Sequence, residues 1–423
     1  MYERFVYCPR FEIPIALGLD LSFPILSKLL FNIDGVEISK EDELRLKEIK
    51  NKRVLYLSNQ PSDLEPIIAY YVANKIGTRF HFMASRSIFN WGFGLVGEVI
   101  KRVGAFSVIT GRLNRKAIKT AKQILAEKDG KLVMYPEGMV SGENDNLASF
   151  MPGVAQVSFW GLEAALEKDP NAELWIQPSF VKYKISGSRD SILADIETSL
   201  SRIEHKLKLY PGGRTLLRRF LTVGRVMLEE TEFELGIPRS ETEGKDFDYR
   251  LGRARHTALN LAASILNVKF HESDNAIQKL RLLFMSLDSL EAGSPLSSTP
   301  KNLTDQNIRR AKQLVDTAYA FIITKPKNLI QWPSAERLME WICSFEKHIF
   351  GKTEARARKA HVVVAPAFSV APYYKTYGSN KKEAIQSLLT EMRKEMEILL
   401  ERGKKESEPI VPPYSVGLDL QIG

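Results

Sequence analysis

Short apolar segments alternate with longer amphipathic ones between residues 53 and 183, and this alternation constrains the fold more than any other feature of the chain. Alternating strands and helices of this length are typical of a layered α/β domain with a largely parallel sheet. The predicted strands are Arg53–Ser58, Arg79–Ala84, Phe106–Ile109, Lys131–Tyr135 and Leu174–Tyr183, and the predicted helices are Leu64–Ile76, Asn90–Val103, Lys116–Glu127 and Val154–Leu166.

After residue 187 the pattern changes to helical spacing alone. The predicted helices there are Arg214–Leu235, Arg250–Leu266, Asn275–Leu290, Asp305–Thr324 and Ser334–Phe350. Strand character returns at His361–Val364, and a long charged helix follows at Lys381–Leu400. We therefore expect an α/β domain formed by residues 1–187 and 356–407. An all-helical insertion, 188–355, interrupts it, and 408–423 is an irregular tail.

Composition excludes several classes of protein. The 423 residues are 44% hydrophobic and 26% charged, as in ordinary soluble globular proteins and unlike disordered or fibrous chains. The two cysteines, Cys8 and Cys343, predict neither a disulfide framework nor a zinc site. The net charge of +9 is spread along the chain, which argues against a nucleic-acid-binding domain and is compatible with an anionic membrane surface.

The N-terminal region contains the most apolar segment, Ile13–Leu30. It is interrupted by Pro14, Asp20, Pro24 and Lys28. The sequence therefore predicts no membrane-spanning helix here, and the two prolines predict that no continuous helix forms. Contact with a bilayer surface remains an alternative. Charged residues interrupt the first ten residues as well, so we expect no signal peptide and a cytoplasmic location.

Polar loops follow the predicted strands, at the edge where open α/β sheets usually place their sites. These loops are Ser58–Pro66, Gly104–Arg115 and Tyr135–Ser141, and a fourth element is the strand segment Ile176–Phe180. Order, spacing and strand context resemble the glycerolipid acyltransferase family of the lysophosphatidate acyltransferase type. That family has an Asn-His-x4-Asp motif, then Gly-x5-Arg, Phe-Pro-Glu-Gly and a strand with proline. The resemblance covers residues 50–185 and resumes at 356–400. Tyr135–Leu147 resembles long members that carry a helical segment.

The resemblance implies a fold, an activity and a set of partners. The fold is a layered acyltransferase domain with a mostly parallel sheet. The activity, part of phospholipid biosynthesis, transfers a fatty acyl group from coenzyme A or acyl carrier protein to a hydroxyl of a lysophospholipid or glycerol phosphate. No metal or cofactor is implied. The expected partners are the acyl donor and membrane phospholipid or lysophospholipid, with peripheral contact at the cytoplasmic face of the inner membrane and no nucleic acid.

The family's functional positions carry over residue by residue. The catalytic positions are Gln60 and Glu65, and the substrate-binding positions are Asn59, Ser62, Thr110, Arg112, Arg115, Glu137 and Gly138. In the family the histidine removes the hydroxyl proton and the acidic partner orients the imidazole. The second motif's arginine, with the glutamate and glycine of the third, holds the glycerol phosphate.

Two positions depart from the family pattern. Gln60 stands at the histidine position, and a carboxamide cannot take up a proton at neutral pH. General-base catalysis contributes roughly 10²–10⁴-fold, so this change is not conservative. Thr110 stands at the arginine position, with Arg112 and Arg115 as replacement cations. His81, in a predicted strand, and Asp63 are the alternatives for the missing base.

Two hypotheses for function follow. The first is an acyltransferase acting on a lysophospholipid or glycerol phosphate. The second is a catalytically inactive homologue that works as a lipid-binding or partner-binding module, which the combination of Gln60 and Thr110 motivates. A serine hydrolase is not indicated, because neither Ser107 nor Ser141 lies in a Gly-x-Ser-x-Gly sequence. The helical insertion is compatible with a membrane platform, an oligomer contact or a dock for the acyl donor.

Overall fold

A computed structural model describes residues 11–86, 88–108, 115–291, 293, 295–300, 302–323 and 325–413. The chain divides into two compact units. The first comprises residues 1–183, 288–294 and 357–406, and the second comprises 184–287, 295–356 and 407–423.

The first unit is built of strands and helices. The strands are β1 (Ile33–Ile38), β2 (Val54–Ser58), β3 (His81–Ser85), β4 (Ala105–Val108), β5 (Lys131–Met134), β6 (Trp175–Ile185), β7 (Arg358–Val364) and β8 (Phe368–Ser369). The helices are α1 (Ile13–Phe31), α2 (Lys40–Glu48), α3 (Glu65–Lys75), α4 (Leu95–Arg102), α5 (Arg115–Ala126) and α6 (Gly153–Leu166).

The strands form one sheet in the order β1-β7-β6-β2-β5-β3-β4, with β8 antiparallel to β6. Strand β2 pairs in parallel with β5 on one side and β6 on the other, so Leu57 lies level with Met134 and with Pro178. Proline in a central strand lacks a donor for the ladder. Gln177 supplies one, since its Nε2 donates to the carbonyl of Ala365 at 2.8 Å. The predicted layered α/β domain with a mostly parallel sheet is confirmed.

Both faces of the sheet are covered, because the side chains of β2 alternate between two apolar cores. Leu55 and Leu57 face a core shared with α5 and α6. Val54 and Tyr56 face a second core shared with α2 and α3. The C-terminal helices α15 (Ala371–Ser379) and α16 (Lys381–Lys404) belong to the first core.

The second unit is helical. Its helices are α7 (Arg189–Lys206), α8 (Leu216–Glu234), α9 (Arg239–Thr242), α10 (Phe247–Leu266), most of α11 (Ala276–Glu291), α12 (Asp305–Ile323), α13 (Pro326–Gln331) and α14 (Ala335–Phe350). Apolar residues of α7, α8 and α14 form one core, which includes Phe220, Leu338 and Ile342. Arg356 forms an ion pair with Glu346 of α14, with 2.9 Å between its Nη2 and Oε1 of the glutamate.

The N-terminal segment corrects the prediction that its prolines prevent a continuous helix. Residues Ile13–Phe31 form α1, with Pro14 in the first turn, where a missing N–H costs nothing. Pro24 is interior and removes one hydrogen bond, but packing holds the helix: Asp20 accepts from Tyr70 and Arg79. In the described ranges, α1 is the one helix long and apolar enough to cross a membrane, and only 11% of its apolar stretch is buried.

A second difference concerns the predicted helix Asn90–Val103. Its first part is a tight turn, Ile88–Gly94, in which Trp91, Gly92 and Phe93 have non-helical backbone angles. Helix α4 begins only at Leu95. The tight turn holds Phe93 at φ 56° and fully exposed to solvent.

Candidate active site

The first and third motif loops form one site at the carboxyl edge of the sheet. They follow β2 and β5, which are adjacent parallel strands whose ends lie level. The backbone N–H of Gln60 donates to Oε1 of Glu137 at 3.1 Å. The N–H of Ser141 donates to the carbonyl of Gln60 at 2.7 Å. These bonds join the first loop to the third loop at residue 60.

Glu137 braces these loops from within. Its side chain is fully buried, and its Oε2 accepts the N–H of Ala148 at 2.7 Å in addition to the bond from Gln60. Charge-assisted bonds of this kind are stronger than neutral ones. Glu137 therefore fixes both loops through its two oxygens, and a role in binding substrate stays a prediction.

Gly138 lets the third loop turn tightly beside Met151. It has φ +66°, a conformation that glycine adopts without strain. A Cβ here would collide with Sδ of Met151, whose N–H donates to the carbonyl of Pro136 at 2.7 Å. The backbone geometry alone accounts for glycine at this position.

Two asparagine side chains continue the ladder of β2 along β6 beyond Ser58. Asn59 pairs with Val181: its Nδ2 donates to the Val181 carbonyl at 2.9 Å and its Oδ1 accepts the Val181 N–H at 2.7 Å. Asn144 pairs with Tyr183 in the same way, at 2.5 and 2.8 Å. An amide side chain carries the same donor and acceptor as a peptide group. These pairs fix the first and third loops to β6.

Gln60 has its backbone fixed and its side chain uncommitted. The side chain is half-buried and makes no hydrogen bond to any residue within the described ranges. Its amide is neutral, so it offers an acceptor oxygen and donors but takes up no proton.

Glu65 is the first residue of α3 and is fully buried. Its Oε1 accepts from Ser62 Oγ at 2.9 Å and from the Tyr183 hydroxyl at 2.8 Å, and its Oε2 accepts from the Ser62 N–H at 3.0 Å. Burial raises the pKa of Glu65 to about 8, although the bonds from Tyr183 and Ser62 oppose the shift. Tyr135 lies close by, and its buried hydroxyl has no hydrogen-bond partner among the described residues.

The two alternatives for the base are His81, which lies away from this edge of the sheet, and Asp63, which is exposed to solvent. His81 begins β3 and is level with Leu132, which is itself level with Leu55 on β2. That is three residues before the end of β2, or roughly 10 Å from the loop edge. Burial lowers the pKa of His81 to about 4. Asp63 lies in the first loop, but it is exposed.

The second motif is only partly described. Thr110 and Arg112 lie outside the described residues. Arg115 begins α5 and is exposed, as are Lys116 and Lys119 on the same helix. Arg115 makes no ion pair within the described ranges, so it is open to an anionic ligand. A phosphate-binding role for this motif stays a prediction.

Sequence reasoning missed the residues that complete the site from β6 and from the long third loop. Tyr183 and Asn144 belong to this group, as does Tyr135. One signal was present: Tyr183 ends the predicted fifth strand, at the same sheet edge as the motif loops.

In the described part of the chain, no group of three or more His, Cys, Asp or Glu side chains is placed to hold a metal ion.

The comparisons with known proteins agree with this geometry. Residues 35–159 match the family model described as Acyltransferase, a segment that includes β2, β5 and both hydrogen-bonded loops. No curated protein and no solved structure matches the chain. The match supports an acyltransferase domain over residues 35–159, which is less than half of the chain.

Proposed function

We propose that the chain transfers a fatty acyl group from a thioester of coenzyme A or acyl carrier protein to a hydroxyl of a lysophospholipid or glycerol phosphate. The observation that carries this proposal is the joining of the first and third motif loops through Gln60 and Glu137, inside the segment that matches the family. Parallel sheets place their ligands at this edge.

The acceptor phosphate requires cations, and the segment after β4 carries them. Arg112 and Arg115 are the candidates, with Thr110 at the position of the family's arginine. Arg115 is exposed at the start of α5, beside Lys116 and Lys119. Arginine binds phosphate oxygens through paired donors, which supports this segment as the phosphate side of the site. Ser62 and Gly138 are half-buried and are the candidates for substrate contact in the first and third loops, whereas Asn59 is buried with both amide atoms bonded to Val181.

Helix α1 supports a peripheral membrane contact. Its outer face is a stripe of exposed apolar side chains four residues apart: Ile13, Leu17, Leu21, Ile25 and Leu29, which are 52–83% exposed. Its inner face is fixed to the body of the unit, where Asp20 binds Tyr70 and Arg79. A helix with one apolar face outward and one face packed fits a position in the plane of the membrane interface.

A second apolar patch lies in the tight turn and at the start of α4. Trp91, Phe93 and Leu95 are all more than half exposed. Helix α1 is linked to the end of α4 because the N–H of Glu12 donates to the carbonyl of Arg102 at 2.9 Å. Together the stripe and the patch exceed what isolated surface residues provide. We propose that this surface contacts the cytoplasmic face of the inner membrane, from which a lysophospholipid acceptor would enter the site.

Thiol release tests the proposed activity. Purified chain is mixed with lysophosphatidate vesicles and acyl-coenzyme A or acyl carrier protein, and free thiol and phosphatidate are measured together. We expect both products in equal amounts, and a large loss for folded Glu137→Gln, which keeps one of the two bonds to the loops. Thiol release no greater than that of the variant would contradict the proposal.

Gln60 favours a second candidate, a catalytically inactive homologue that binds lipid or a partner protein. This candidate predicts that the chain binds lysophosphatidate vesicles and releases no thiol. Gln60→His then restores measurable transfer, because residue 60 is already held by Glu137 and Ser141 and Glu65 stands at the acidic position. Thiol release by the unmodified chain would reject inactivity.

A further inference from the structure

Ser62 links the buried carboxylate of Glu65 to the candidate active site through a hydrogen bond. Glu65 is fully buried and out of reach of a substrate, whereas Ser62 is half-buried. The Ser62 hydroxyl donates to Oε1 of Glu65 at 2.9 Å and accepts from the N–H of Leu64 at 3.2 Å. A hydroxyl has one proton and two acceptor lone pairs, so Ser62 Oγ retains one lone pair for a further donor. An acceptor alcohol is such a donor.

Three other groups in the described part of the chain that could serve as the base are poorly placed to remove a proton. Both oxygens of Glu137 hold backbone N–H groups. His81 lies toward the far edge of the sheet. Asp63 is exposed to solvent and is not enclosed at the site. Ser62 and Glu65 lie two and five residues after Gln60 and are hydrogen-bonded to each other.

We propose that Ser62 and Glu65 act together as the base that Gln60 does not provide, with Ser62 Oγ relaying the proton to Glu65. The inference rests on the proposed acyl transfer. The acceptor oxygen bonds to the thioester carbonyl carbon as its proton passes to Ser62 Oγ and the Ser62 proton passes to Oε1 of Glu65. The carbon–sulfur bond then breaks, and the leaving thiolate takes up the proton by the reverse route. An ester and a free thiol result, and Glu65 is again a carboxylate.

The surroundings of Glu65 suit this role. Burial raises its pKa to about 8, so its carboxylate is a stronger base than an exposed one. Tyr135 after β5 and Tyr183 on β6 both interact with Glu65, and burial raises the pKa of each of these hydroxyls. Arg358 on β7 lies over the ring of Tyr183, 4.6 Å from its centre. The tyrosines are therefore neutral in the range where Glu65 ionises.

The test is the pH dependence of kcat, measured between pH 6 and pH 10 on the full-length chain with lysophosphatidate and acyl-coenzyme A. We expect kcat of the unmodified chain to rise with pH through about 8. Ser62→Ala and Glu65→Gln should each lose roughly 10²–10⁴-fold in kcat with little change in KM. Ser62→Thr keeps the hydroxyl and should recover the rise. Thermal unfolding verifies that each variant is folded.

Tyr183→Phe provides a readout that a merely structural role would not move. The Tyr183 bond lowers the pKa of Glu65, so its removal should shift the rise in kcat to higher pH. Full activity and an unchanged profile in folded Ser62→Ala would overturn the relay alone. A loss confined to Asp63→Asn would overturn it in favour of Asp63. If the unmodified chain releases no thiol, the acyl-transfer proposal fails and the relay fails with it.

Discussion

Glu137 accepts the backbone N–H of Gln60 at 3.1 Å, so the third-motif carboxylate holds the residue that stands where the family has histidine. This bond involves the main chain of residue 60 and is independent of its side chain. The backbone of residue 60 is therefore held in place whichever side chain it carries. A substitution of the side chain at residue 60 should therefore leave the hydrogen bond to Glu137 in place.

The first prediction concerns that brace. Glu137→Ala leaves the N–H groups of Gln60 and Ala148 buried without an acceptor, whereas Glu137→Gln keeps one acceptor oxygen. An unsatisfied buried donor costs about 1–3 kcal/mol, so we expect alanine to reduce the free energy of unfolding by about twice as much as glutamine. Urea unfolding measures both. Glu127→Ala, at a glutamate that is 63% exposed, is the control. Equal stability of all three variants would contradict the bracing role.

The second prediction is a pH dependence of stability. Glu65 has a folded-state pKa of about 8, above its ordinary 4.5, so the folded chain binds this proton more tightly than the unfolded chain. Its contribution is full below pH 4.5 and is lost as pH rises through 8. At about 1.4 kcal/mol per pH unit, the unmodified chain should lose roughly 3–5 kcal/mol relative to Glu65→Gln between pH 5 and pH 9.

Urea unfolding at a series of pH values measures this difference. Glu48→Gln is the matched control, because it makes the same substitution at an exposed glutamate. A Glu65→Gln variant that follows the unmodified chain at every pH would show that Glu65 is ionised throughout.

The fold was largely predictable from local pattern, because strand and helix periods are properties of short segments. Strand β2 and helix α6 match their predicted ranges within one residue. Helix α1 was not predictable, since its prolines oppose a helix locally and the stabilising contacts of Asp20 with Tyr70 and Arg79 come from residues 50 and more positions away. Tertiary packing decided that segment.

The candidate site was predictable only where residues follow a strand directly. Gln60, Ser62 and Glu137 do so, and parallel strands bring them together. The pairing of Asn144 with Tyr183 joins residues 39 positions apart, and Glu65 meets Tyr183 across 118 positions. Pairs this far apart leave no periodic pattern in the sequence. The raised pKa of Glu65 is caused by its burial, so it could not be predicted from the sequence either.

The third prediction tests the asparagine ladder. Asn144→Ala removes both bonds to the backbone of Tyr183, whose N–H and carbonyl then lie buried without partners. We expect the free energy of unfolding to fall by about 2–4 kcal/mol. Asn171→Ala, at an exposed asparagine, is the control and should change stability by less than about 0.5 kcal/mol. A similar stability for both variants would show that water replaces the side chain of Asn144.

The fourth prediction tests the membrane-facing surface. Leu21 is 83% exposed at the centre of the α1 stripe, and Phe93 is fully exposed in the second apolar patch. Each buried apolar side chain contributes about 1.5–3 kcal/mol, so Leu21→Gln and Phe93→Gln should each weaken binding to anionic phospholipid vesicles about tenfold or more. Vesicle sedimentation measures the affinity. The control is Leu44→Gln, since Leu44 is 64% exposed on α2 but lies outside the stripe.

The same variants separate a bilayer from a second copy of the chain as the occupant of this surface. If α1 were an interface between copies, the unmodified chain would form dimers in the absence of lipid, and Leu21→Gln would release monomers while leaving vesicle binding intact. Sedimentation velocity distinguishes these states. The inner face of α1 is already bound to Tyr70 and Arg79, so membrane contact should not require the helix to leave the body of the unit. The far-ultraviolet spectrum should therefore stay the same when vesicles are added, and a gain of helix would argue against a preformed surface.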